Sequence, residues 1–423
     1  MTLSWVQIFR LGLVQACLGA IVVLMTSTLN RLMVVELALP VVLPGALVAL
    51  HYGVQITRPN WGHLADQGGN RTRWIIAGMG ILALGGLGAT LAIPVLEASF
   101  ALGLALSVLA YAVIGLGVGA SGTSLLALLA TAAAEHRRPA AATITWLMMI
   151  AGIALTAIMA GRYLDPYSHA RLLMIVAVIC SGAFVLTFLA VWGIERQVIA
   201  RAAPAPIRFR DGIRDIWADT RARNFTFFVF LSMTAYFMQE LILEPYAGLV
   251  FGFTPGQSTQ MSGAQNGGVF LGMVLVGVAA TGLRLGSLRV WVVSGCTGSA
   301  LVLLAIAGAS LWALPLVPLV VALGFFNGMF AVAAIGSMMQ LAGEGRDKRE
   351  GTRVGLWGAS QAIAAGFGGL TGAALVDLAR SLLPVADAFG AVFLFQAVIF
   401  IASALLAARI MTPRGSAQLV PGE

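Results

Sequence analysis

Charge is what this sequence has least of. Only 10% of its residues are Asp, Glu, Lys or Arg, against roughly 25% in an ordinary soluble protein, while 59% are hydrophobic. So few charges cannot cover a surface that faces water, which excludes a soluble domain. Cysteine is scarce as well. Cys17, Cys180 and Cys296 lie inside apolar stretches, without the spacing of a disulfide framework or a zinc site, and read as small hydrophobes. A Walker loop, a dinucleotide-binding glycine fingerprint and a nucleophile elbow in a plausible context are also missing. No catalytic residue and no metal site is therefore assigned, and the chain reads as a non-enzyme.

What is present is apolar length. A bilayer core about 30 Å thick takes roughly 20 apolar residues per helix, and the chain supplies twelve such runs. The first six fall at about Leu11–Val35, Leu37–Ile56, Trp74–Pro94, Ala101–Thr131, Ala140–Ala160 and Leu172–Ile194. The second six fall at about Phe225–Leu243, Gly267–Gly282, Val290–Ala309, Leu314–Ala342, Val354–Val376 and Val385–Ala408. The expected fold class is an all-α integral membrane protein whose solvent is the lipid bilayer.

A net charge of +8 would suit nucleic acid in a soluble chain, but here the arginines sit in short loops between apolar runs. Cytoplasmic loops retain positive charge during insertion. With the N-terminus inside, every one of the 25 Lys and Arg residues except Arg31, Arg162, Arg171 and Arg380 falls on the cytoplasmic side. That bias predicts both termini in the cytoplasm and excludes a nucleic-acid partner.

The longest polar interruption, residues 195–224, contains seven arginines and divides the chain almost equally. It predicts an N-terminal bundle over 1–194, a basic linker over 195–224, a C-terminal bundle over 225–408 and a cytoplasmic tail over 409–423. Within the linker Ile207, Phe209, Ile213, Ile216 and Trp217 alternate with arginines at roughly helical spacing. This fits an amphipathic helix on the membrane surface or a solvated linker. A faint repeat relates the halves: Pro44-Gly45 followed by His51-Tyr52-Gly53-Val54 echoes Pro255-Gly256 followed by Asn266-Gly267-Gly268-Val269. Repeated six-helix halves are a common transporter plan.

After the second run comes a tight polar turn containing Gly62, Asp66, Gly69 and Arg71. Glycines let the chain reverse, and Asp66 can accept hydrogen bonds from helix-terminal amides and pair with Arg71, so the turn can act as a latch. Its spacing resembles the loop signature of the major facilitator superfamily. That resemblance implies twelve helices in two pseudo-symmetric six-helix bundles. Gln67 stands where the signature has a basic residue, Asn70 falls where the first later basic residue is expected, and a generic charged turn is the alternative.

Ionisable residues inside spans are costly and are functional candidates by default. Arg31 and Glu36 lie toward the end of the first run, and Glu240 and Glu244 sit one turn apart on the seventh. In a two-bundle fold the first and seventh spans face each other, so Arg31 is expected to pair with Glu240 or Glu244 as an outer gate. The alternative is that all four sit at headgroup level and anchor helix ends. His51, with Gln55 one turn later, is a candidate pigment or cavity residue together with Asn266. A neutral imidazole can ligate the magnesium of a chlorophyll, and a hydrogen-bonded core histidine is the other reading.

Four stretches together resemble one branch of the superfamily, the PucC and LhaA proteins of phototrophic bacteria, or bacteriochlorophyll delivery family. They are LGLVQACLGAIVVLMTSTLNRLMVVE from Leu11, PGALVALHYGVQ from Pro44, RPNWGHLADQGGNRTRWII from Arg58, and Leu231 to Gly272. The resemblance implies an assembly factor in a bacterial inner or intracytoplasmic photosynthetic membrane. It would handle bacteriochlorophyll or a precursor as bound ligand, with light-harvesting antenna polypeptides or pigment-biosynthesis enzymes as partners. Two other readings stand beside it: a proton-coupled exporter of a small amphiphile, and a pigment-free scaffold for antenna polypeptides. The fifth run lacks the proline of many antiporters, and the acidic residues are read as lying toward helix ends.

Overall fold

A computed structural model describes residues 2–58, 61, 70–134, 137–197, 220–283, 285–343 and 350–411. Twelve long or apolar helices dominate them. The first half holds α1 (Trp5–Glu36), α2 (Val42–Thr57), α3 (Arg71–Ala98), α4 (Phe100–Ala132), α5 (Arg138–Leu164) and α6 (His169–Val191). The second holds α7 (Thr220–Phe251), α8 (Pro255–Val276, continued by a wide turn Gly277–Gly282), α9 (Leu288–Ala307), α10 (Leu316–Gly343), α11 (Glu350–Arg380) and α12 (Val385–Ile410). Eleven are long and apolar enough to cross a membrane, and α2 is shorter.

Local chemistry sets where these helices begin. Ser4 caps α1 reciprocally with Gln7, its hydroxyl accepting the Gln7 N–H at 3.3 Å and Gln7 Oε1 accepting the Ser4 N–H at 2.8 Å. Thr254 and Gln257 repeat the device at α8, with Pro255 at the first helical position. Several boundaries differ from those read in the sequence, the seventh helix running to Phe251 rather than Leu243, and two of the differences have a plain local cause. The second span was expected from Leu37, but Ala38 has φ of 50° and Pro40 lacks an N–H, so α2 begins at Val42. The eighth was expected from Gly267, yet α8 begins twelve residues earlier at Pro255. The stretch PGQSTQMSGAQ is too polar for a hydropathy signal; it is helical because this part of α8 packs on protein rather than lipid.

Helix contacts in the first half recur in the second with a shift of six. α3 packs on α4 as α9 on α10, α1 on α5 as α7 on α11, and α3 on α6 as α9 on α12. The halves meet through α5 against α8 and, symmetrically, α11 against α2. Buried faces of α1–α6 form one apolar core and those of α7–α12 a second, with Leu241 of α7 contributing to the first and Val34 of α1 to the second. Large side chains such as Leu102, Val178, Leu271, Leu301 and Val398 are exposed on the perimeter. That is the surface of a protein whose solvent is lipid. α1 begins and α12 ends at one end of the bundle, the terminal end; the other is the distal end.

Candidate functional site between the two halves

Of the polar side chains expected to matter, Arg31, Glu36 and Glu244 converge toward the distal part of the α1, α7 and α8 contact. α1 reaches it through two widened π-helical turns, Leu24–Leu29 and Leu32–Glu36. Such turns re-aim side chains and recur at functional positions. Here they place Thr26, Ser27, Thr28, Asn30 and Arg31, all buried, along the seam. Thr28 and Thr259 hydroxyls share a hydrogen bond at 3.2 Å, and Asn30 Nδ2 donates to Leu241 O at 2.8 Å. A buried polar group without a partner is costly, so these pairs fix the register of one half on the other.

Arg31 sits at the C-terminus of α7. The helix ends at Phe251, Gly252 turns the chain with φ of 67°, and the Phe253 N–H bonds back to Ala247 O at 3.1 Å. Arg31 Nη2 donates to Phe253 O at 2.7 Å, which puts its charge at the negative end of the helix dipole. Its other terminal nitrogen pairs with Glu36. This corrects the expected pairing: in this conformation the partner of Arg31 is Glu36 on its own helix, not Glu240 or Glu244. The wide turn Leu32–Glu36 is what brings the Glu36 side chain back to Arg31.

Glu244 is only 2% exposed, and neither carboxyl oxygen has a hydrogen bond of normal geometry among the described residues. Arg31 and the hydroxyls of Ser258 and Ser262 are its polar neighbours. Glu240 lies near Thr26, Tyr52 and Tyr236. It stands eleven residues before the end of α7 at Phe251, well inside the span, which corrects the reading that the acidic residues cluster at helix ends. At the distal rim, His169 links Tyr167 at 3.0 Å to Glu97 at 3.2 Å. Burial first, then the Glu97 and Glu36 carboxylates, pushes the Tyr167 hydroxyl up to about 12.

His51 and Gln55 meet, as their one-turn spacing requires, with Nε2 atoms 3.0 Å apart. Gln55 Oε1 accepts from Arg58, so the amide nitrogen donates to His51 and the ring is neutral with its proton on Nδ1. His51 is buried at 3% exposure and its ring packs edge-on to Tyr52, which in turn meets Phe237 of α7. Gln55 thus occupies the Nε2 of His51, as in a hydrogen-bonded core histidine, while Nδ1 is buried with no hydrogen-bond partner among the described residues. Asn266 does not join it; its amide donates to Ser262 O on its own helix at 3.0 Å.

Of the latch residues, Gly62, Asp66 and Gly69 lie outside the described residues, as do the amphipathic stretch of the linker and most of the tail. Arg71 is described and opens α3. Its N–H and that of Thr72 donate to the two oxygens of Glu195 at 2.7 and 2.9 Å, and its side chain donates to Thr131 at 2.6 Å. Sequence reading missed Glu195, Asp165 and Asp377, each of which caps a distant helix, and it missed Ser258, Thr259 and Ser262. The capping pair Thr254 and Gln257 was the available signal for the last three.

The family described as "PUCC protein" matches residues 28–415. The chain is 64% identical to the "Bacteriochlorophyll synthase 44.5 kDa chain" of Rhodobacter capsulatus, over 99% of this chain and 98% of that one. It is 28% identical to "Protein PucC" of Cereibacter sphaeroides, over 91% and 86%. Among solved structures, an inward-facing, unoccupied bacterial homologue of the human lysosomal transporter Spinster superposes with a TM-score of 0.70 at 12% identity, covering 96% of this chain and 98% of that one. The nucleoside transporter NupG does so at 0.68 and 13%, covering 96% and 99%. At such identities the structures establish the fold alone, that of major facilitator transporters. A family match over most of the sequence settles descent: the chain belongs to the PUCC protein family.

Proposed function

We propose that this protein is a membrane assembly factor that handles bacteriochlorophyll or a precursor and passes it to light-harvesting complexes or to the enzymes that make the pigment. The observation that carries this reading is the 64% identity, over nearly the full length of both chains, to a protein named as a chain of bacteriochlorophyll synthase. Resemblance to PucC proteins supports the link to antenna assembly. The protein acts as a carrier or chaperone rather than as an enzyme, a role suited to a transporter fold whose polar groups pair helix with helix. It sits in the bacterial inner or intracytoplasmic membrane with both termini cytoplasmic, which makes the distal end periplasmic, as the arginine distribution favours.

A second reading has an observation of its own. Glu240 and Glu244 are carboxyls inside a span, the feature that a proton-coupled carrier of a small amphiphile requires.

The test is to purify the protein in mild detergent from a pigment-producing host and record its absorption. A stoichiometric near-infrared pigment band is expected. Given the closed environment of His51, the band should survive His51→Ala; its loss would make His51 the ligand. Co-purified antenna polypeptides without a band would replace the pigment carrier by a scaffold. Proton-driven flux of an unrelated amphiphile in liposomes would replace it by an exporter.

A further inference from the structure

Two aspartates at the distal end reach from one half to the other, and the six-helix shift that relates the halves exchanges them. Asp165 follows the last residue of α5. Its Oδ1 accepts the Gly256 N–H at 3.1 Å, and its other oxygen accepts the hydroxyl of Thr254, the residue that caps α8. Asp377 lies in the last turn of α11. Its two oxygens accept the N–H groups of Val41, the N-cap of α2, and Val42, its first residue, at 3.0 and 2.7 Å. Each carboxylate thus runs from the C-terminal end of the fifth helix of one half to the N-terminal end of the second helix of the other.

The packing beside them repeats too. A Cβ on Gly256 would lie 2.5 Å from Gly161 O, and a Cβ on Gly45 would lie 2.8 Å from the Ala373 Cβ. The two aspartates each stand one helical turn beyond these contacts, at 165 after 161 and at 377 after 373. The Pro-Gly pairs 44–45 and 255–256 that betray the repeat in the sequence therefore both lie at close crossings of the two halves. Independent helix capping would not place both bonds on the same pair of pseudo-equivalent crossings.

The chemistry suits a joint that opens. The first N–H groups of a helix have no partner within it and carry the positive end of its dipole, so a carboxylate binds them strongly. At the rim of the membrane, water can take the place of either partner when they part, so no buried polar group is stranded.

We propose that Asp165 and Asp377 form a paired clamp that holds the distal ends of the two halves together, and that distal opening requires both carboxylates to leave their helix N-termini. The proposal is independent of what the protein carries.

The experiment uses the full chain in membranes, with Ser262→Cys on α8 beneath the clamp as a probe for a membrane-impermeant maleimide. Right-side-out and inverted vesicles are labelled in parallel, so that an error in the assigned topology shows as labelling from the opposite side. Asp165→Ala and Asp377→Ala should each raise the distal labelling rate roughly threefold, and the double variant on the order of tenfold, because charge-assisted bonds are lost at both crossings. An unchanged rate in a double variant that elutes as a single species overturns the clamp. Should that variant fail to fold, Asp165→Asn with Asp377→Asn, which keeps an acceptor oxygen and removes the charge, is read in the same assay. A smaller rise supports the clamp and no rise overturns it.

Discussion

Among the described residues, Glu195, Asp165 and Asp377 cap the N-termini of distant helices, and they differ in what the cap joins. Glu195, just beyond α6, caps α3 of the same half. Asp165 and Asp377 cap α8 and α2 across the boundary between halves. The local chemistry is the same in all three: a side-chain oxygen satisfies N–H groups that the helix leaves orphaned. The mechanical meaning is not. A cap inside a rigid half contributes to its stability, whereas a cap across the boundary sets the relative position of two bodies and need not change the stability of either. Identical hydrogen bonds therefore become a brace or a joint according to the elements they connect.

The seam at Arg31 tests the same distinction at its strongest. Arg31→Ala removes the partner of Glu36 and the donor to Phe253 O, where α1 of one half meets the end of α7 of the other. Bonds made by charged groups contribute about 1.5–3 kcal/mol, so a loss of roughly 2 kcal/mol is expected in thermal melts of the detergent-solubilised protein, together with raised distal labelling. Exchanging the pair as Arg31→Glu with Glu36→Arg should recover part of both. Recovery by Arg31→Glu with Glu240→Arg instead would show that the cross-helix pairing dominates in the membrane.

Glu195→Ala is the next most severe change. Two N–H groups at the start of α3 lose their acceptor, at a cost of about 1–3 kcal/mol. Melting should shift and distal labelling should not; a rise in labelling would erase the difference between the two kinds of cap.

Two glycines of α8 give the clearest contrast, and the second of them the smallest effect. Gly256→Ala places a methyl against Gly161 O and Asp165, an overpacking that costs about 1–3 kcal/mol and loosens the α5–α8 crossing. A Cβ on Gly267 would meet nothing within 4 Å, so Gly267→Ala should be neutral or stabilise by up to about 1 kcal/mol through helix propensity. Equal melting temperatures for the two variants would mean that the crossing is not tight.

Much of this arrangement is legible in the sequence. Shortage of charge and repeated apolar runs gave the membrane class and twelve helices, because lipid imposes a composition on each span that can be read without knowing its neighbours. The Pro-Gly repeat pointed to the two halves, and Arg31, Glu36, Glu240 and Glu244 were placed on the two helices that do face each other. The start of α8 was not legible, since a polar stretch is helical there only because it packs against protein. The partner of Arg31 was not legible either: it depends on the wide turns of α1, which folding back toward Glu36 requires and composition does not reveal.

By itself, then, the sequence determined the solvent, the number of helices and the pseudo-symmetry, all properties carried by local composition and by spacing along the chain. Only the tertiary structure decided which polar groups meet. Asp377 lies 335 residues from Val42 and Asp165 lies 91 from Gly256, and nothing local to either aspartate distinguishes it from an ordinary loop or helix-end residue. Their partners are fixed by how two packed halves dock, where close crossings at small residues bring the end of one helix within hydrogen-bond reach of the start of another.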